Sequence, residues 1–376
     1  MANGTNIRWL PTGREDFQNK LQAIEQARAK VQLETYIYTA SPPGEALRDA
    51  LIRAAKRAVQ VQVLVDAFGS IELPDTFWEP LRQAGGEVRW FNPLALGRWG
   101  FRDHRKLLVC DETIAFVGGF NVAPEYTGDG VTEGWCDHGA CIQGSPAADL
   151  SDAFDVMFAR ADFRHPRLAR LRRSAFRRHL PHDDCEILLS GPGRGRNPLK
   201  KRLHQDLRAA REVRIISAYF LPTWRIRREL GRVVRRGGRV QILLGAKSDV
   251  PVAQFAARSL YGRLMRAGIE IYEYQPQILH AKLIMVDNAA YIGSANLDNR
   301  SLHINYELML RLSNPSAVEG ALRLFEQDLL HASRIEPRSW RKNVSLWEKL
   351  KQRWAYFLLA RVDPLIARRQ LRHLDT

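Results

Sequence analysis

The segment His280-Ala281-Lys282-Leu283-Ile284-Met285-Val286-Asp287 is followed, six residues on, by Gly293-Ser294-Ala295-Asn296-Leu297-Asp298-Asn299-Arg300-Ser301. Its alternation predicts a β-strand, whose period of two sends the His280 and Lys282 side chains to one face. An imidazole and an ammonium then look at the same place. The arrangement occurs a second time, as His104-Arg105-Lys106-Leu107-Leu108-Val109-Cys110-Asp111 followed by Gly118-Gly119-Phe120-Asn121. A lone His-x-Lys is usually surface decoration, and a lone Gly-Ser-x-Asn is usually a turn. A duplicated H-x-K-x4-D, each copy trailed by an apolar strand, glycine and asparagine, is neither.

Working outward, the rest of the chain repeats as well. Leu21 to Tyr38 (LQAIEQARAKVQLETYIY) aligns without gaps on Leu203 to Phe220 (LHQDLRAAREVRIISAYF), each reading as a helix that delivers a strand. Ala54 to Asp66 (AAKRAVQVQVLVD) parallels Val233 to Gly245 (VVRRGGRVQILLG), and Leu81 to Pro93 (LRQAGGEVRWFNP) parallels Leu264 to Pro276 (LMRAGIEIYEYQP). Corresponding blocks in one order indicate an internal duplication built of alternating strands and helices. The expected fold is therefore two similar α/β lobes, each a mixed sheet flanked by helices, related by a pseudo-twofold axis. An axis running between the two His/Lys strands brings both pairs to a single site at the interface. Two independent sites would leave each half without either an acid or a nucleophile.

The boundaries that follow are a first lobe at 6–159, a basic arginine-rich linker at 160–185, a second lobe at 186–333 and a basic amphipathic tail at 334–376. Ser190-Gly191-Pro192-Gly193 reads as a turn opening the second half. The arginines of the linker suit a solvated face or an anion-binding surface equally well. In the tail, Leu346, Trp347, Leu350, Trp354, Phe357 and Leu358 recur on one helical face, opposite Lys349, Lys351, Gln352 and Arg353, and Pro364 should end the helix. That pattern fits a helix lying in a bilayer interface as well as one packed on the core.

With 376 residues and 45% hydrophobic content the chain can bury a large core, which excludes a disordered protein. Its 57 Lys+Arg against 41 Asp+Glu give a formal +16, so the surface attracts anions such as nucleic acid, anionic lipid or a phosphorylated substrate. No signal peptide and no transmembrane helix is expected, since the longest apolar run near either end is Trp354 to Ala360. Cys110, Cys136, Cys141 and Cys185 lack zinc-like pairing and read as reduced thiols.

Two histidines and two lysines in one basic cleft suit a phosphodiester. One neutral imidazole attacks phosphorus and the other, protonated, gives its proton to the departing alkoxide. Lys106 and Lys282, with the amides of Asn121 and Asn296 and the hydroxyl of Ser294, are the candidate donors to the phosphate oxygens. No metal or other cofactor is needed with those cations in place, and no carboxylate/histidine cluster of metal spacing stands out elsewhere. Asp137 in Trp135-Cys136-Asp137 and Glu307 in Asn305-Tyr306-Glu307 follow the two motifs at comparable distances and are the candidates to orient the histidines, on strands expected to neighbour them. Asp111 and Asp287 complete the motifs and are counted with the catalytic set, although they fall on the opposite strand face, where structural hydrogen bonding suits them better.

The duplicated H-x-K-x4-D resembles the signature of the phospholipase D superfamily. Within it, His104-Arg105-Lys106, Gly118-Gly119-Phe120-Asn121, Ser190-Gly191-Pro192 and Asn296-Leu297-Asp298-Asn299-Arg300-Ser301 are similar to bacterial cardiolipin synthases, of the subtype without N-terminal transmembrane helices. The resemblance implies two phospholipase D-like lobes and a metal-free phospho-histidine mechanism, with His104 the nucleophile and His280 the acid/base by family analogy, and the reverse assignment left open by the symmetry of the repeat. It also implies transfer of a phosphatidyl group from phosphatidylglycerol, or another phospholipid, to a second phosphatidylglycerol, giving cardiolipin, at the cytoplasmic side of the bacterial inner membrane and in peripheral contact with it. Hydrolysis to phosphatidic acid uses the same residues and is the first alternative. A nucleic-acid phosphodiesterase suits the charge, but no nucleic-acid partner is expected because superfamily nucleases tend to be short one-motif chains that dimerise. A non-catalytic membrane-binding protein would have no reason to keep both His/Lys pairs.

Overall fold

The computed structural model describes residues 5–93, 100–161, 177–192 and 197–362, without the side chains of 341–343 and 361. Most of the arginine-rich linker, Gly193 of the predicted turn and Pro364 of the tail lie outside the described residues.

The first lobe is a seven-stranded sheet: β1 (Asn6–Leu10), β2 (Lys30–Thr35), β3 (Gln60–Asp66), β4 (Glu87–Phe91), β5 (Leu107–Cys110), β6 (Ile114–Gly118) and β7 (Gly139–Gln143), in the order β1-β7-β6-β5-β2-β3-β4. The second lobe has nine: β8 (His179–Pro181), β9 (Cys185–Ser190), β10 (Glu212–Ser217), β11 (Arg239–Gly245), β12 (Glu270–Tyr274), β13 (Lys282–Val286), β14 (Ala289–Gly293), β15 (Glu307–Leu312) and β16 (Ala332–Arg334), in the order β16-β12-β11-β10-β13-β14-β15-β9-β8. Stripped of its edge strands β8 and β16, the second sheet has the strand order of the first, with β9 standing where β1 stands. In each lobe three parallel strands, β2-β3-β4 and β10-β11-β12, adjoin an antiparallel half that starts at β5 or β13. The two mixed, helix-flanked sheets have the expected duplicated α/β fold. The structure differs from the expected linker at one point, since His179–Pro181 pairs with β9 and belongs to the second sheet.

Burial explains why the parallel strands read as unbroken apolar runs. In Gln-Val-Gln-Val-Leu-Val-Asp (β3) every residue after the first is buried, because helices cover both faces. One apolar cluster joins the lobes. It takes Leu107 and Ile142 from the first sheet and Leu283 and Leu308 from the second. Leu150 and Phe154 of the helix Ser145–Phe158 fill it, together with Ala321 and Phe325 of the helix Pro315–Leu330. Trp9 Nε1 donates to Ala317 O across the same boundary at 3.0 Å. Two further clusters lie under the outer helices, one in each lobe. All four cysteines are free and buried.

The tail packs on the second lobe in an orientation its periodicity did not indicate. Helix Leu346–Phe357 starts with a capping box between Ser345 and Glu348. It buries Gln352 and Ala355, with Tyr356 and Leu359 against the core beneath, and leaves the Leu346/Trp347/Leu350/Trp354/Phe357/Leu358 stripe facing outward. Among the described residues no helix is long and apolar enough to cross a membrane.

Candidate active site

The site is made by two short parallel bridges between the lobes. Asp103 pairs with Tyr306 and Leu279 pairs with Cys136, at equivalent points of the duplicated chain. His104 N donates to Tyr306 O at 3.0 Å, and His280 N donates to Cys136 O at 2.7 Å. In a parallel pairing the next residues along each chain also lie side by side, so His104 meets Glu307 and His280 meets Asp137. The carboxylates are therefore exchanged. Asp137 of the first lobe holds His280 of the second, with Oδ2 to Nδ1 at 2.5 Å. Glu307 of the second lobe holds His104 of the first, with Oε2 to Nδ1 at 3.1 Å. Sequence placed both acids beside histidines but carried no signal that each serves the other lobe. The bridges also keep the histidines out of the strands proper, since β5 begins at Leu107 and β13 at Lys282.

A carboxylate that accepts a hydrogen bond from Nδ1–H keeps the proton on that nitrogen and leaves Nε2 as the nitrogen with a free lone pair. Lys282 Nζ lies 2.8 Å and 3.0 Å from the two ring nitrogens of His280 and also donates to the His280 carbonyl. Lys106 Nζ donates to His104 O at 2.7 Å. Burial pushes His280 down to about 4, with Lys282 reinforcing and Asp137 opposing. Burial also lowers His104, opposed by Glu307. Desolvation and the neighbouring Lys282 charge bring Lys106 down to about 7, and desolvation brings Lys282 to about 8. Asp137 stays ionised: burial raises it, but Lys282 and His280 outweigh that and hold it at about 2. The charges of both lobes act on one another throughout, which makes this one site.

Asn121 Oδ1 accepts from Ile37 N at 3.2 Å and Asn296 Oδ1 from Tyr219 N at 3.3 Å, a matched pair that fixes the orientation of each amide. Ser294 is engaged otherwise than as a phosphate donor. Its hydroxyl donates a hydrogen bond to Glu307 Oε2 at 2.5 Å and accepts one from Leu308 N at 3.0 Å. Gly119 holds the equivalent place in the first lobe, where a Cβ would lie 2.1 Å from Asp137 Oδ1. Asp111 and Asp287 are not brought to the site. Each sits at positive φ in the turn beyond its strand. The Asp111 carboxylate accepts from the amides of Arg28, Ala29 and Lys30, and that of Asp287 from Arg211 and Glu212. They tie the start of β2 and β10 to the far end of β5 and β13.

Sequence reasoning missed the aromatic walls. Tyr36 stands edge-on to His104 at 5.0 Å between centroids and lies 5.2 Å from Lys106 Nζ. Tyr126 and Trp135 flank His280 at 5.2 Å and 5.6 Å. Tyr126 Oη and Asn121 Nδ2 are buried with no hydrogen-bond partner of good geometry among the described residues. The available signal was proximity in sequence, with Tyr126 five residues past Asn121 and Trp135 two before Asp137. Beneath His104, burial raises both Glu34 and Asp103 above ordinary carboxylates, with Arg105 alongside. One set of ligand-type groups also escaped the sequence reading. Cys136, His138 and Asp328 bring donor atoms within 4.8 Å of one another, all buried. They bond among themselves, His138 Nε2 to Asp328 Oδ2 at 2.8 Å and Cys136 Sγ to Asp328 Oδ1 at 3.5 Å, and so brace the segment that carries Asp137.

Two H-x-K-x4-D copies with exchanged carboxylates on duplicated mixed sheets define a two-lobed protein of the phospholipase D-like class. A family model described as "Cardiolipin synthase, PLD-like domain" matches residues 21–149 and 203–329, and the chain belongs to that family of enzymes. It is 31% identical to cardiolipin synthase 1 of Bacillus cereus over 97% of this chain and 73% of that one. It is 31% identical to cardiolipin synthase B of Salmonella typhimurium over 96% and 90%. Among solved structures, phosphatidylserine synthase of Haemophilus influenzae superposes with a TM-score of 0.76 at 15% identity, covering 96% of this chain and 94% of that one, a likeness of fold.

Proposed function

We propose that the chain is a phosphatidyltransferase that makes cardiolipin and glycerol from two molecules of phosphatidylglycerol. The exchanged His–carboxylate pairs carry this reading, because they supply two oriented imidazoles beside two lysines in one site. His104, the more open ring and the one on the longer carboxylate bond, attacks phosphorus through Nε2. The bond from phosphorus to the glycerol headgroup breaks, and His280, charged once the phosphodiester anion lies beside it, gives its proton to the departing oxygen. The close Asp137 carboxylate stabilises that imidazolium. In the second half His280 takes the proton from the headgroup hydroxyl of a second phosphatidylglycerol. That oxygen attacks phosphorus, and the bond to His104 breaks. Lys106, Lys282 and the Asn121 and Asn296 amides face the charge that gathers on the phosphoryl oxygens.

The protein works in peripheral contact with an anionic bilayer, on its cytoplasmic side. The formal +16 supports the first point and four free thiols the second. The test is turnover of phosphatidylglycerol vesicles with products identified by mass. Cardiolipin plus glycerol from the wild type and neither from His104→Ala is the expected result. Phosphatidic acid as the sole product would make the protein a hydrolase instead.

A further inference from the structure

Among the described residues, and apart from Leu330 at the end of the helix Pro315–Leu330, the exposed large apolar side chains lie either on the loops and helix starts that follow the parallel strands, on the side of the two histidines, or on the tail helix. Phe68 and Ile71 follow β3 of the first lobe, at the carboxyl end of its parallel strands. Gly69 there approaches Tyr36, the ring against His104. In the second lobe, Trp224 opens the helix after β10, and Val250 and Val252 open the helix after β11. Val250 follows Asp249, whose carboxylate accepts from Tyr219 Oη, and the Tyr219 amide in turn binds Asn296. The outward stripe of the tail helix continues this surface. Asn299 Nδ2 donates to Ala360 O at 3.5 Å, and the Arg227 guanidinium lies 5.9 Å from the Tyr356 ring, so the carboxyl end of the tail helix meets the rim beside Asn296. Trp354 and Phe357 stand there at 60% and 55% exposed.

Cations are set among these rings. Arg228 lies 5.1 Å from the Trp224 ring and Lys351 5.7 Å from the Trp347 ring, with Arg225, Lys349 and Arg353 exposed nearby. Glu348, an acid on the tail helix, is taken up in its cap. Aromatic rings interleaved with Lys and Arg match an interface in which acyl chains lie below a layer of negative phosphates.

We infer that the tail stripe and the rim residues Phe68, Ile71, Trp224, Val250 and Val252 form one docking face for a bilayer containing anionic lipid, and that this face seats the mouth of the site directly on the membrane. The inference rests on the phosphatidyltransferase reading and adds the surface by which the lipid is reached. A phospholipid headgroup then enters the cleft from the bilayer without its chains passing through water, and cardiolipin leaves the same way.

The test compares the wild type with Trp347→Ser/Trp354→Ser/Phe357→Ser, three exposed positions away from the reacting groups. Co-flotation is measured with vesicles of phosphatidylcholine and phosphatidylglycerol in equal parts, and with phosphatidylcholine alone. The expected result is stronger wild-type binding to the anionic vesicles and a loss of roughly tenfold or more in the triple variant. Turnover of dihexanoyl phosphatidylglycerol kept below its micelle concentration should be equal in both proteins. Undiminished flotation of the variant would overturn the inference. So would a wild-type dimer that becomes monomeric in the variant while vesicle binding stays the same, which would make the stripe a contact between copies. Wild type that floats with anionic vesicles and loses that binding in the variant, but turns over neither lipid form, would support the docking face and reject the reaction.

Discussion

At the scale of single residues, the site holds four basic groups whose burial opposes their charge. Below the ordinary histidine value and down to about 4, the unfolded chain binds a proton at position 280 that the folded protein refuses, so stability falls as pH falls through that window. Glu307 works the other way on His104, its charge raising the imidazole. Glu307→Gln should therefore lower the His104 pKa further, seen by NMR titration of the ring, and reduce turnover by about 100-fold or more through loss of the favoured tautomer. An unmoved His104 with a shifted His280 would show that the carboxylates are not exchanged. Lys106 and Lys282, at about 7 and about 8, should give the rate an alkaline limb in the same range, as the charges facing the phosphate are lost.

At the scale of elements, the motif aspartates and the inter-lobe bridges divide the labour. Asp111 is a strand clamp: burial works against its charge, the amides of Lys30, Ala29 and Arg28 outweigh that, and its carboxyl sits below the usual range. Asp111→Ala should cost about 2 kcal/mol in denaturant unfolding, because it strands three amides and places alanine at a φ of 52°, while the folded fraction keeps its activity. Loss of turnover with unchanged stability would reverse that assignment. The ungapped match of Leu21–Tyr38 on Leu203–Phe220 made β2 and β10 legible, since local pattern and repeat agree there. The role of Ser294 was not legible, because Gly119 and Ser294 fill one position of the repeat and differ only in what they leave room for, Asp137 in one case and a bond to Glu307 in the other. The exchange of Asp137 and Glu307 escaped for a related reason. Pairing between distant segments is set by how the lobes dock, and the repeat alone is equally consistent with each acid staying at home. The tail stripe was visible as a stripe, but periodicity does not say which face meets the protein.

For the whole molecule, the shared core makes the lobes dependent on each other. The helices Ser145–Phe158 and Pro315–Leu330 bury apolar residues in the cluster that both sheets line, so neither sheet has a complete inner face alone. Scanning calorimetry should give a single endotherm in which the tryptophan and far-UV signals change together. Two well-separated transitions would mean that the lobes are stable apart.

The exchanged carboxylates also impose an order in time. His104 leaves the ribosome 203 residues ahead of Glu307, the group that sets its tautomer. Throughout that interval the growing chain holds an imidazole with nothing to aim it, and His280 does not yet exist for most of it. On the proposed mechanism, chemistry on lipid begins only when synthesis has passed the second acid and the halves have closed, so an unfinished chain is inert toward phospholipid.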